Sequence, residues 1–171
     1  MTGEPGGASR PAAIAPADPA VFVAFGATGD LTRRKLVPAL VNLRRSGALP
    51  AAFAFLAIVR QADIGHVLAD EVLTAANEHL DAPLTDEERH WFLERIAVAV
   101  GDLEQPGLYA DIGVCLTQLQ ARHRTGPNAL FYLATPPQLF APIAAGLGNA
   151  GLLDEAAAGG WRRVIVEKPF G

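Results

Sequence analysis

The stretch Val21-Phe22-Val23-Ala24-Phe25-Gly26-Ala27-Thr28-Gly29-Asp30-Leu31-Thr32-Arg33-Arg34-Lys35 sets the strongest limit on what this chain can fold into. Val21 to Phe25 is an unbroken apolar run, the pattern of a strand buried on both faces. Gly26 and Gly29 then allow a tight turn into a helix. With no Cβ in the way, backbone at these glycines can approach a pyrophosphate, and the helix that follows points its free N–H groups at the anion. The spacing departs from the standard dinucleotide fingerprint, because Thr28 stands where a second glycine is expected. No Gly-Lys-Ser or Gly-Lys-Thr closes the turn, which excludes a P-loop. Arg33, Arg34 and Lys35 run against the helix dipole by roughly a few tenths of a kcal/mol each, a cost that a bound anion would offset. A solvated basic face is the alternative account of them.

Half of the 171 residues are apolar and 19% are charged, which describes one globular domain with a core large enough to need no staples. Cys115 is the single cysteine, and His66, His79, His90 and His123 are scattered, so neither a disulfide framework nor a metal site is expected. A net charge of −4 and one short basic run offer no footprint for nucleic acid. No apolar run reaches the roughly 18 residues that span a bilayer. Met1 to Ala17 also lacks the charged start and apolar centre of a signal peptide. These features predict a cytoplasmic protein with no membrane partner.

Residues 1–18 are rich in Gly, Ala and Pro and read as a disordered tail, leaving residues 19–171 as the folded domain. Leu36, Leu40 and Leu43 recur at helical spacing up to Ser46-Gly47. Pro38 leaves two readings open: it kinks a helix begun near Leu31, or it opens the main helix after an irregular turn from Thr32 to Val37. Phe53 to Val59 is a second strand, after which Asp63 can cap a helix carrying Val67, Leu68, Val72 and Leu73. Thr85 and Glu88 form a capping box for a helix with Trp91, Phe92 and Ile96. Ala97 to Val100 reads as a third strand, ending at Asp102 and Leu103. Leu108, Ile112, Leu116 and Leu119 mark a further helix, Ala129 to Ala134 a fourth strand, Leu139 to Leu147 a short helix, and Val164 to Val166 a fifth strand after a loose segment. Alternating strands and helices predict an α/β fold: a doubly wound parallel sheet of Rossmann type with helices on both faces and ligands at the carboxyl ends of the strands.

An acidic residue after the second strand normally receives the ribose hydroxyls of NAD. Here Arg60 stands there, and a guanidinium matches a phosphate with two parallel bonds, so Arg60 reads as the reader of the 2′-phosphate of NADP. The alternative is a surface arginine paired with Asp63.

Three motifs resemble glucose-6-phosphate dehydrogenase: Gly26-Ala27-Thr28-Gly29-Asp30-Leu31 with the basic run to Lys35, Leu130-Phe131-Tyr132-Leu133-Ala134-Thr135-Pro136-Pro137, and Val166-Glu167-Lys168-Pro169-Phe170-Gly171. The resemblance runs from about residue 20 to the last. It implies hydride transfer from carbon 1 of glucose 6-phosphate to NADP, giving the lactone in the first step of the pentose phosphate route. By motif it implies that Gly26, Ala27, Thr28, Gly29, Asp30 and Leu31 wrap the pyrophosphate, that Arg60 holds the 2′-phosphate, and that Asp102 and Leu103 line the adenine side. Ala134 to Pro137 would bring backbone to the ribose and nicotinamide. Lys168 would touch both cofactor and sugar, with Lys168-Pro169 as a cis bond. Phe140 departs from the pattern, standing where some members carry a tyrosine that contacts the cofactor. Family members continue into a second domain that holds the catalytic histidine, further sugar-phosphate contacts and the dimer sheet. The expectation is thus a coenzyme domain with no catalytic base of its own, inactive alone and oligomeric only in a longer form. A non-catalytic NADP-binding module or sensor is one alternative. A short oxidoreductase using Tyr132 or Lys168 as its base is another, although no Tyr-x-x-x-Lys pair occurs.

Overall fold

The computed structural model describes residues 15–60 and 65–167. Its centre is a parallel sheet of five strands, β1 (Ala20–Phe25), β2 (Phe53–Val59), β3 (Ile96–Val100), β4 (Ala129–Leu133) and β5 (Arg162–Val166), in the order β3-β2-β1-β4-β5. The chain winds outward from β1 to β3, then crosses to β4 on the other side of β1. The strand order therefore reverses between β1 and β4, and a crevice opens at their carboxyl ends. Every residue of β2 is buried, as its unbroken apolar run requires of a central strand.

Period-two alternation divides the core between the two faces. Val23, Phe25, Leu56, Ile58, Phe131 and Leu133 point to one side, under α4 (Pro106–His123) and α5 (Phe140–Asn149). Ala24, Phe55, Ala57 and Val59 point to the other, under α1 (Val37–Arg45), α2 (Gly65–Asn77) and Phe92 of α3 (Asp86–Leu93). Over β4 and β5 this second face carries no helix among the described residues, and an open groove of about 850 Å³ lies there against Phe22, Leu130 and Ile165. On the first face α5 lies close to α4, since a Cβ on Gly146 would fall 2.1 Å from the ring of Tyr109.

The doubly wound sheet is as the sequence pattern predicts, and the deviations are local. Ile96 is not the last helical residue of α3 but the first of β3, where it pairs with Phe55. A short helix α6 (Glu155–Ala158), capped by the Asp154 side chain on the Ala157 N–H at 3.0 Å, occupies part of the segment read as loose. β5 starts at Arg162 rather than Val164, and as an edge strand it leaves Val164, Ile165 and Val166 40%, 40% and 52% exposed. Of the expected tail, residues 1–14 lie outside the described residues, and at Ala17 the chain donates its N–H to Ala48 at 3.0 Å. The proposed Asp63 cap, the side chains of Val67 and Leu68, and the Lys168-Pro169 bond also lie outside them. No described helix is long and apolar enough to cross a membrane.

The capping box of α3 forms as expected, with the Glu88 N–H donating to the Thr85 hydroxyl at 3.2 Å and the Glu88 carboxylate accepting from the Thr85 N–H at 2.9 Å. That carboxylate also receives a two-pronged bond from Arg45 at the end of α1, at 2.8 and 2.9 Å. The Arg45 bond outweighs burial and holds the Glu88 carboxyl down at about 2, from 4.5. A depressed acid stabilises the fold fully above its unfolded value and loses that contribution as pH falls through the folded one. Glu88→Gln is therefore expected to remove about 1 kcal/mol of stability at neutral pH and flatten the loss between about pH 4.5 and 2. Urea denaturation of both proteins across that range checks it.

Candidate dinucleotide cleft

β1 runs straight into the glycine turn. Gly26 has φ +80°, and a Cβ there would lie 2.5 Å from the Ala134 carbonyl oxygen and 3.3 Å from the Thr135 methyl. Only a glycine accepts both the left-handed backbone and the contact with β4. The turn closes with the Gly29 N–H donating to the Gly26 carbonyl at 2.9 Å, and a Cβ on Gly29 would sit 3.0 Å from that same oxygen. Neighbouring strands hold the turn from both sides: Ala134 N–H donates to Phe25 at 3.0 Å and Ala27 N–H to Ile58 at 3.4 Å. Ala27 is 1% exposed and turns its methyl into the core, whereas Thr28, Gly29 and half-buried Leu31 stand at the surface of the turn.

The chain is helical from Asp30 onward, so the first-turn N–H groups have no intrahelical partners and face the carboxyl ends of the strands. Asp30 itself is exposed and pairs with Arg34 at 3.3 Å, which supplies one counter-charge to the basic run from within the helix. That pair is exposed on both sides and contributes little. The Arg33 Nε is buried and has no hydrogen-bond partner among the described residues.

A cleft of about 240 Å³ opens above this turn, lined by Gly26, Thr28, Gly29, Arg60, Leu103 and Thr135 among others. Arg60 directly follows β2 and is exposed, and between it and Asp102 lies a second opening of about 230 Å³. Gly101 N–H donates to Val59 at 2.9 Å, which draws the loop after β3 beside Arg60. Asp102 then accepts the Glu104 N–H at 3.0 Å, and the buried Tyr109 hydroxyl donates to the Leu103 carbonyl at 2.6 Å. Leu103 is 5% exposed and lines the cleft from this fixed position. The structure thus brings Gly26, Thr28, Gly29, Arg60, Asp102 and Leu103 to one crevice at the switch point. Lys168 lies outside the described residues.

Two features of the cleft escaped the sequence pattern. Thr135 presents a buried hydroxyl with no hydrogen-bond partner beside the glycine turn, and Thr32 is fully buried behind that turn. Both threonines lie within segments the sequence marks, Thr32 in the basic run and Thr135 in Ala134 to Pro137, but the burial of their hydroxyls has no periodic signature. Tyr132 is no free base. Its phenol donates to Glu167, and burial first, then that carboxylate, raise its pKa well above the ordinary phenol value. Phe140 opens α5 and is partly buried against the core. Of the histidines whose side chains are described, none lines the cleft. No group of three metal-ligating side chains occurs among the described residues.

The crevice has the features of a dinucleotide site: a turn that admits no Cβ at Gly26, a buried orphaned hydroxyl and a guanidinium converge on it. In comparisons with known proteins, the family model "Glucose-6-phosphate dehydrogenase, NAD binding domain" matches residues 23–171. The chain is 35% identical over 152 residues to the glucose-6-phosphate 1-dehydrogenase of Bacillus subtilis, which covers 89% of this chain and 29% of that protein. It is 37% identical over 160 residues to that of Mycolicibacterium smegmatis, covering 91% and 30%. Among solved structures, a glucose-6-phosphate dehydrogenase in complex with glucose 6-phosphate superposes with a TM-score of 0.75 at 29% identity, covering 90% of this chain and 31% of that one. The enzyme from Mycobacterium avium gives 0.67 at 31% identity, covering 89% and 30%. The chain spans about 30% of the length of these relatives.

Proposed function

The chain belongs to the glucose-6-phosphate dehydrogenase family, whose NAD binding domain it matches, and from that premise we propose that it binds NADP at the β1/β4 switch point. There it serves hydride transfer from carbon 1 of glucose 6-phosphate. The observation that carries this reading is the convergence of the Gly26–Gly29 turn and Arg60 on one cleft. The turn lets backbone and helix N–H groups meet the pyrophosphate. Arg60 pairs with the 2′-phosphate, and Asp102 and Leu103 flank the adenine side. Ala134 to Pro137, with the Thr135 hydroxyl, lies toward the ribose and nicotinamide.

When bound, NADP supplies the hydride acceptor, while the protein has to orient the sugar and remove a proton from its C1 hydroxyl. Lys168, next after Glu167, is the group we assign to orienting glucose 6-phosphate against the nicotinamide. No histidine whose side chain is described lines the cleft, so we assign the proton acceptor to a group outside it and expect these 171 residues by themselves to show no turnover. We assign the longer protein a cytoplasmic location and a homo-oligomeric state, in keeping with its family.

The test is NADPH formation by the full-length protein on adding glucose 6-phosphate. Substrate-dependent formation supports the reading, whereas NADP binding without any reduction identifies a sensor instead. In the same assay Lys168→Ala is expected to lower turnover about a hundredfold and to weaken glucose 6-phosphate binding, the scale of effect that follows from misplacing a reactant.

A further inference from the structure

Thr32 and Thr125 are the polar residues that the core encloses completely, both at 0% exposure among the described residues. Thr32 owes its position to an irregularity of the backbone. From Thr32 to Leu36 the helix is wound as a π-turn, in which the Val37 N–H reaches the Thr32 carbonyl five residues back. Pro38 follows at the start of α1. In a regular α-helix its ring would crowd the Arg34 carbonyl and leave it without a donor, and the wider turn relieves that crowding.

The π-turn also changes which side chain faces inward. α1 buries Val37, Leu40 and Val41. Counting three or four residues back from Val37 at α-helical spacing would place Arg34 or Arg33 on the same inner face. The extra residue moves that position to Thr32 and leaves Arg34 and Lys35 exposed. From there the Thr32 hydroxyl donates to the Gly26 carbonyl at 3.3 Å. That carbonyl is the same oxygen that accepts the Gly29 N–H at 2.9 Å and so closes the glycine turn. Thr32 thus fastens the helix to the turn at the oxygen that closes it.

We infer that Thr32 is a positioning residue for the dinucleotide, acting through the Gly26 carbonyl without touching the ligand. The inference rests on the cleft being a dinucleotide site. Its physical content is preorganisation: without the hydroxyl, the Gly26–Gly29 turn spends less time in the shape that presents its N–H groups to a pyrophosphate. Apparent affinity falls with that fraction.

The experiment is a fluorescence titration of NADPH into the wild-type chain, Thr32→Val and Thr32→Ser, with NAD and NADP competing. Valine keeps the shape and removes the donor; serine keeps the donor. Thr32→Val is expected to weaken NADPH about fivefold, the equivalent of one ordinary hydrogen bond, and Thr32→Ser to stay within about twofold. The preference between NADP and NAD is expected to be unchanged, since Arg60 is untouched. Ile143→Val, a core change in α5 on the opposite face, serves as the control that lowers stability and leaves affinity as it was. If Thr32→Val does not fold, Thr32→Ala removes the same donor without adding a methyl and is held to the same criterion. Wild-type affinity in a folded variant without the donor overturns the inference, as does a serine variant as weak as the valine one. Failure of the wild type to bind NADPH overturns the reading of the cleft instead.

Discussion

Gly26→Ala is expected to weaken NADP binding more than tenfold and to destabilise the domain by about 2–4 kcal/mol. Two costs combine at this residue. Its φ of +80° lies where an L side chain is strained, and the new Cβ would stand 2.5 Å from a backbone oxygen of Ala134. Neither can be relieved locally. The turn is held by β4 through the Ala134 N–H and by β2 through Ile58, so a shift large enough to admit a methyl disturbs both neighbouring strands. The same shift pulls the Gly29 N–H from its partner and moves the start of the helix, which is why affinity falls together with stability. Urea denaturation combined with an NADPH titration reads both. Loss of affinity without loss of stability would place the glycine's role in ligand contact alone. Neither loss would remove the turn from the account.

Arg60→Ala is expected to weaken NADP by about 10- to 150-fold while leaving NAD within about twofold, the range that one or more charge-assisted bonds to a phosphate imply. The geometry favours a selective effect. Arg60 is exposed at the carboxyl end of β2, borders both openings of the crevice and lies away from the packed core, so its removal leaves the fold unchanged. Asp102 stands across the second opening with one carboxylate oxygen already engaged by the Glu104 N–H. A binding titration of each nucleotide decides the point, and equal losses for the two would end the assignment of Arg60 to the 2′-phosphate.

How legible this molecule is in its sequence varies with the kind of physics involved. β2 is predicted at its observed ends because the apolar run from Phe53 to Val59, with its aromatic and β-branched residues and its stop at Arg60, is too short for a buried helix and suits a buried strand. The glycine turn is equally plain, since the residue type itself reports the backbone conformation. Ile96 is less so: it follows the apolar positions of α3 at helical spacing, and only pairing with Phe55 across β2 decides that it is a strand residue. Helical spacing loses there to a strand partner, in keeping with the β-branched side chain. Pro38 marks an irregular helix start in the sequence, and the result shares a part of each reading: the chain is helical from Asp30, close to Leu31, and the irregular stretch from Thr32 to Leu36 is a π-turn that leads without a break into α1, with Pro38 in its first turn. Thr32 could not be found at all without that turn, because its burial depends on one extra residue in the helical count. The Thr135 hydroxyl is hidden for a related reason, as loop geometry after β4 and not periodicity places it in the crevice.

The most direct test of the central claim is an amide NMR titration of this chain with NADP. On binding NADP, the N–H resonances of Gly26, Ala27, Thr28, Gly29, Asp30 and Thr135 are expected to move together and saturate, while those of α6 and of Arg162 and Arg163 at the start of β5 stay in place. A titration in which the glycine-turn resonances do not move, or in which those at the open groove beside Leu130 and Ile165 move instead, would contradict it.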